Sequence, residues 1–464
     1  MSPSILRISQ HFPQRFIQRL SACVALLFLL GCSGRDGTIS ISVLSAPDST
    51  LLPQVQRLEA YLVDSNNSEL AHFGGLRDSD GVLTIAIDLD ADDVNAKLLV
   101  EGFDAEGERI AFGRVGPLPL SAVSATLAVF LAPPLSIREA PISLSEPLSH
   151  IGATFASFGV ILAGGQNADG PVDSVTVYSS YLHSSQEGLA MPLALSQPTL
   201  VAGSSGTIYM IGGTDSQQNP SNIALAFDTT AAPAGSYRAL SMAEEHARSG
   251  ATAAVVGQEQ FIISGDPALL LDGFQNTLQP LPGGENLSGP GHTAVADSSL
   301  QVVFAGAEVS SGAALFESGL IRTLSPPAEM LRTEHRGIDL PSGEILFLGG
   351  AIDNVATTSA VLYKPDSQSF QTISLLASPR RNPAVAITDD YLVVVGGEGD
   401  DGSPLPDVEI FDANTLAAVA TLPLLVPRKD TVAHPLNNGQ VLIAGGLDSD
   451  NRPTAVLELF TPDR

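Results

Sequence analysis

Short apolar runs alternate with polar, glycine-rich breaks along most of this chain, and after residue 160 one pattern returns seven times. An apolar strand runs into a pair of small residues: ILAGG, IYMIGG, FIISG, VVFAG, ILFLGG, LVVVGG and VLIAGG. The first small residue falls at Gly164, Gly212, Ser264, Ala305, Gly349, Gly396 and Gly445, a period of 41 to 52 residues. Strand-based units of this length bury their faces against one another and read as the blades of a closed array. Beyond each pair come a polar loop and a strand ending in an aromatic residue: Tyr178, Phe227, Phe316, Tyr363, Phe411 and Phe460, with the third copy blurred around Phe274. Seven pairs predict seven blades. Six is the alternative if the third and fourth copies, with Ser264-Gly265 and Ala305-Gly306 in place of glycine pairs, share one distorted blade.

Alternation of another kind precedes the repeats. Residues 38–43, 58–63 and 82–89 alternate apolar and polar side chains, as half-buried strands do. Residues 97–103 and 109–115 flank Asp104-Ala105-Glu106-Gly107, a turn-forming cluster that predicts a hairpin, and 125–131 reads as a last strand. The expected architecture is therefore all-β: a β-sandwich of immunoglobulin-like or transthyretin-like type over 37–133, then a propeller over 134–464. The chain stops just after a third strand, so residues 135–144 are expected to supply the fourth strand of the last blade and leave no free edge.

The N-terminus reads as a targeting segment. Arg7, Arg15 and Arg19 precede an apolar run, 20–30, that is too short to span a bilayer, and residues 1–31 are expected to be an export signal. The run ends Leu29-Leu30-Gly31-Cys32, which resembles the lipobox of bacterial lipoproteins. The resemblance implies cleavage before Cys32, lipidation of that cysteine (palmitate included), a tether over 32–36, and a place on the cell envelope, with Ser33 favouring the outer over the inner membrane. Cys23 and Cys32 are the only cysteines. A chain cleaved at Cys32 holds no disulfide and folds by packing alone, which its length permits.

The formal net charge is −28, a field that disfavours nucleic acid and anionic lipid as partners. Against it, basic and imidazole groups cluster just upstream of the small pairs: His150, Glu244-Glu245-His246-Ala247-Arg248, His292, Glu334-His335-Arg336, Arg380-Arg381 and Arg428-Lys429-Asp430. The small pairs, together with Val175-Thr176-Val177-Tyr178, Ala224-Leu225-Ala226-Phe227-Asp228 and Val408-Glu409-Ile410-Phe411-Asp412, resemble the kelch repeat of galactose oxidase-like propellers over roughly the last two-thirds of the chain. The usual fourth-strand tryptophan of such blades is missing, since the chain has none. Kelch propellers tend to place basic residues around one channel mouth. The resemblance thus makes His246, Arg248, His292, His335, Arg336, Arg380, Arg381 and Arg428 candidates for binding an anionic ligand. The competing role for each is to satisfy carbonyls or acids of a neighbouring blade.

Other chemistry is sparse. Asp88, Asp90 and Asp92 are calcium candidates, although their spacing lacks the central glycine of an EF-hand loop and a solvated strand end accounts for them. No cofactor is expected. Kelch-like copper oxidases use a tyrosine crosslinked to cysteine, and no cysteine falls within the propeller, so the expected role is non-catalytic: a membrane-anchored binding or scaffolding protein for a protein or glycan partner. Aromatic residues are 5% of the chain, which favours a protein over a stacked sugar. The alternatives are a carbohydrate-active enzyme of isomerase or lyase type, using Glu244, His246, Glu334, His335 and Arg336, and a structural envelope component.

Overall fold

A computed structural model describes residues 5–9, 40–65, 67–76, 84–86, 95–119, 126–156, 158–231, 235–287, 291–306, 309 and 312–463. Cys32, Asp88, Asp90 and Asp92 lie outside the described residues. Contacts divide the chain into two compact units, 1–141 with 179–184 and 461–464, and 142–178 with 185–460.

In the first unit one sheet is ordered Glu69–Leu76, Arg57–Val63, Asn95–Phe103, Arg109–Pro119, and a second Thr84–Ala86, Ile5–Ser9, Ser40–Leu44, Thr126–Phe130. The alternation seen in the sequence is what builds the core: Leu58 and Ala60 point inward from one sheet, Val43 and Val129 from the other, and Leu98, Val100, Ala111 and Val115 complete one apolar cluster. Asp104 fixes the expected hairpin, its Oδ1 accepting from the Glu106 and Glu108 backbone N–H at 3.0 and 2.8 Å. Ile5–Ser9, within the expected export signal, is a strand beside Ser40–Leu44. A one-turn helix at Leu51–Gln54 has no counterpart in the sequence pattern.

The second unit is built on seven antiparallel sheets among the described residues, six of them four-stranded. Their first strands are Gly152–Ala156, Thr199–Ala202, Ala253–Gly257, Thr293–Ala296, Arg336–Asp339, Ala384–Ile387 and Val432–Pro435. Each first strand touches the next, and the seventh touches the first, so the sheets form a closed ring around a central channel. Five of the second strands, Gly159–Ala163, Tyr391–Val395 and Val441–Ala444 among them, are buried at every residue. They are apolar throughout because both sheet faces pack on neighbouring sheets; Tyr209 and Ile211 of the second meet Phe261 and Ile263 of the third, and Leu346 and Leu348 of the fifth meet Leu392 and Val394 of the sixth. This is a propeller.

Five of the six strand-ending aromatics are buried: Tyr178, Phe227, Tyr363, Phe411 and Phe460. In the third sheet Leu271 takes the corresponding place, opposite Phe261 as Phe227 is opposite Ile208. Phe274 is left 68% exposed in the turn beyond it. The seventh sheet is ordered Val432–Pro435, Val441–Ala444, Glu458–Thr461. Within the propeller unit the chain then runs alongside 454–455, with Leu144 N–H donating to the Ala455 carbonyl at 2.9 Å and Leu148 N–H to that of Thr454 at 3.1 Å.

Candidate functional site at the channel mouth

The small pairs are joints between sheets. In five of them both glycines have left-handed φ, as at Gly164 (61°) and Gly165 (111°) or Gly396 (49°) and Gly397 (91°). The second glycine's N–H donates to a carbonyl on the segment leading into the next sheet: Gly165 to Leu195, Gly213 to Arg248, Gly350 to Arg380, Gly397 to Arg428, and, closing the circle, Gly446 to Leu148. That same carbonyl would lie 2.3 to 2.9 Å from a Cβ on the first glycine, closer than any side chain tolerates. A residue without Cβ is therefore demanded by both conformation and contact.

Ser264 and Ala305 depart from this rule, and side chains take over there. Ser264 Oγ accepts from Thr252 N–H at 2.8 Å and lies 2.7 Å from His292 Nε2, while Thr252 Oγ1 accepts from Ala294 N–H at 2.8 Å. His292, a candidate ligand residue in the sequence, thus joins the third sheet to the fourth.

Four arginines repeat one arrangement. Arg248, Arg332, Arg380 and Arg428 are buried, and each sends Nη1 to the carbonyl of the first small residue in its own sheet: Ser264 at 2.9 Å, Gly349 at 2.9 Å, Gly396 at 3.0 Å and Gly445 at 3.0 Å. Nε turns back to a carbonyl two or three residues earlier, His246, Glu329, Ser378 or Val426. In the last two sheets Nη2 also pairs with a buried carboxylate, Glu409 or Glu458. Burial pulls Arg248 and Arg332 down to about 10. With their donors directed at backbone carbonyls and neighbouring carboxylates, Arg248, Arg380 and Arg428 are internal staples, which corrects their expectation as ligand-binding groups. Arg332 belongs to the same set but is hidden in the sequence, because Leu331-Arg332-Thr333 precedes the more conspicuous Glu334-His335-Arg336.

The remaining candidates divide further. His246 is half-buried in a short turn, Glu244–His246, and holds Arg248 through its carbonyl. His335 is fully buried, 3.1 Å from Thr293 Oγ1, with no hydrogen-bond partner at Nδ1 among the described residues; burial, then Arg332, Arg336 and His292, holds it well below the usual histidine range. It is a neutral core histidine. Arg381 is half-buried and paired with Glu334 at 3.1 Å, and it donates to the Asn354 carbonyl at 2.6 Å. Among the described residues, Arg336 alone of these arginines makes a single guanidinium hydrogen bond, as described below.

Two residues beyond each staple position, a ring appears that the sequence did not reveal. His150, Gln197, Gly250, Gly291, Glu334, Asn382 and Asp430 all have φ between 43° and 63°, one per sheet, each just ahead of its first strand and so at the same end of the channel. Three backbone links run round this ring: Gln197 N–H to the His150 carbonyl, Asn382 N–H to Glu334 and His150 N–H to Asp430, at 2.8, 2.8 and 3.2 Å. Left-handed conformation suits glycine and costs other residues about 1 kcal/mol or more each. Five of the seven positions nonetheless carry a polar side chain, and none of these is fully buried. His150 Nε2 lies 3.5 Å from Asp430 Oδ2. No side-chain hydrogen bond holds Gln197 or Asn382 among the described residues.

The acidic loops following the small pairs owe their composition to turns. Asp215 Oδ1 accepts from Gln217 and Asn219 N–H at 2.8 and 2.9 Å, and Asp448 Oδ1 from Asp450 and Arg452 N–H at 2.8 and 2.9 Å. No three His, Cys, Asp or Glu side chains among the described residues come together as metal ligands.

Comparison with known proteins supports the same architecture. The kelch motif matches residues 379–415, the stretch that carries Arg380, Gly396-Gly397 and Phe411. Among curated proteins none matches the chain. A solved structure described as a novel fungal alcohol oxidase with catalytic diversity among the AA5 family, in complex with copper, superposes with TM-score 0.51 at 14% identity, over 70% of this chain and 75% of that one. The chain is a kelch-like β-propeller. The expectation of a non-enzyme is corrected by this likeness, because the shared fold is one that carries oxidase chemistry. The residues here do not fit the copper of that oxidase, since both cysteines precede the propeller and no group of three His, Cys, Asp or Glu side chains comes together among the described residues.

Proposed function

We propose that this chain is an exported, lipid-anchored, seven-bladed propeller that binds a protein partner at the mouth ringed by His150, Gln197, Glu334, Asn382 and Asp430. The observation that carries the reading is the ring itself. Side chains kept in a backbone conformation that glycine adopts without strain are retained for something other than the fold, and backbone outliers of this kind cluster at binding sites. Gly250 and Gly291 are the internal comparison, because they hold the same place with no side chain. A protein partner is favoured over a glycan because the ring offers amides, carboxylates and an imidazole but no flat aromatic platform. The reading concerns binding, and a partner turned over at this mouth fits it as well as one that is only held.

Anchoring rests on Leu29-Leu30-Gly31-Cys32. Acyl chains on Cys32 would contribute roughly 0.8 kcal/mol per buried CH₂, and more than one chain is needed for firm attachment. Cys32→Ala is expected to move the protein from the membrane to the soluble fraction of lysed cells; a variant that stays on the membrane contradicts the anchor.

A further inference from the structure

Among the innermost strands, one side chain is out of keeping with its place. The residues opposite the position just before each small pair are Gly152, Thr199, Ala253, Ala294, Arg336, Ala384 and Val432. Six are uncharged. Arg336 is half-buried, and its one hydrogen bond is from Nη1 to the adjacent His335 carbonyl at 3.3 Å. Unlike Arg248, Arg332, Arg380 and Arg428, its other donors are directed at no carbonyl or carboxylate among the described residues. Burial lowers its pKa and the field of Asp430 offsets this in part. Asp430, on the mouth ring two sheets further round, is the carboxylate whose charge it feels.

Desolvating a guanidinium without a partner is costly, and such groups are ordinarily paired. Arginine's planar fork matches two oxygens of a carboxylate or phosphate. In the segment entering the next sheet, Asn382, whose N–H donates to the carbonyl of Glu334 two residues before Arg336, offers a carboxamide that no described residue engages. We infer that Arg336 and Asn382 form a subsite for an oxyanion, a carboxylate or phosphate group, within the mouth. This deepens the binding reading above and rests on the same mouth. The oxyanion comes either free in solution or on an acidic side chain of the bound partner. Asp430 opposes it by like charge, so the site discriminates against weakly held anions and Asp430→Asn is expected to tighten it.

The test uses the full chain, with inorganic phosphate and succinate as probes in calorimetric titrations at constant ionic strength set by chloride. Saturable binding of either, weakened at least tenfold in Arg336→Gln, intermediate in Arg336→Lys and strengthened in Asp430→Asn, identifies a free oxyanion. No heat from either probe, together with loss of partner capture in Arg336→Gln, assigns the oxyanion to the partner. Unchanged unfolding midpoints establish that these variants fold. If Arg336→Gln alters neither probe binding nor capture, the inference is overturned. Probe binding that depends on Arg336, in a protein that captures no partner, would leave the subsite standing and remove the partner reading instead.

Discussion

Arg428→Met is expected to cost about 3–5 kcal/mol of folding stability, the range for breaking a buried pair from one side. Arg428 and Glu458 are both fully buried. The arginine spans three pieces of backbone, donating to Val426, Gly445 and Val456 at 3.1, 3.0 and 2.9 Å. Its loss leaves those carbonyls short of a donor and strands Glu458, whose carboxyl burial already pushes upward against the pull of Arg428. Pairing Arg428→Met with Glu458→Leu is expected to recover part of the loss, because an apolar pair needs no counter-ion. Leu425 N–H, which donates to Glu458 at 2.8 Å, limits the recovery. Urea unfolding of the two variants checks both statements; a single variant as stable as the native chain would contradict the staple role.

Gly396→Ala is expected to lose about 3 kcal/mol, combining left-handed strain with a forced contact. The new Cβ would meet the Arg428 carbonyl at 2.3 Å, with φ at 49°. Gly402 lies in the loop of the same sheet, also left-handed at 76°, and a methyl group added there would meet nothing within 4 Å. Gly402→Ala should therefore show the strain alone, about 1 kcal/mol. Equal losses at the two positions would mean that the contact between sheets contributes nothing. The effect should reach beyond one sheet, since the same joint recurs at Gly164, Gly212, Gly349 and Gly445.

These two results rest on features that differ in how well the sequence displays them. The repeat of small pairs is plain, because a residue that must lack a Cβ leaves a compositional mark at a fixed place in each copy. The degenerate copies are plain as departures, but their remedy is not: Ser264, Thr252 and His292 are joined across sheets by side chains far apart in sequence. The basic clusters are visible as charge, yet charge alone does not separate a staple from a ligand group. Arg380 and Arg381 are neighbours, and one is sealed beneath Gly396 while the other reaches Glu334 at the mouth. Burial makes that distinction. The mouth ring is illegible for a further reason, since His, Gln, Glu, Asn and Asp share no side-chain property that marks a left-handed backbone.

Stripping the ring of its side chains puts the binding role to trial without disturbing the blades. Gln197→Gly, Glu334→Gly and Asn382→Gly, introduced together in the Cys32→Ala chain, remove three mouth side chains while keeping the conformation that Gly250 and Gly291 already adopt. Glu334 also gives up its pair with Arg381, which keeps Asn354 and Asp400 as partners. The measurement is capture of a partner from intact cell envelopes by this variant and by the Cys32→Ala chain alone. An unfolding midpoint equal to or above that of the parent, with loss of the captured protein, is the expected result; capture at the parent's level by a folded variant, or none by either chain, would contradict a binding mouth.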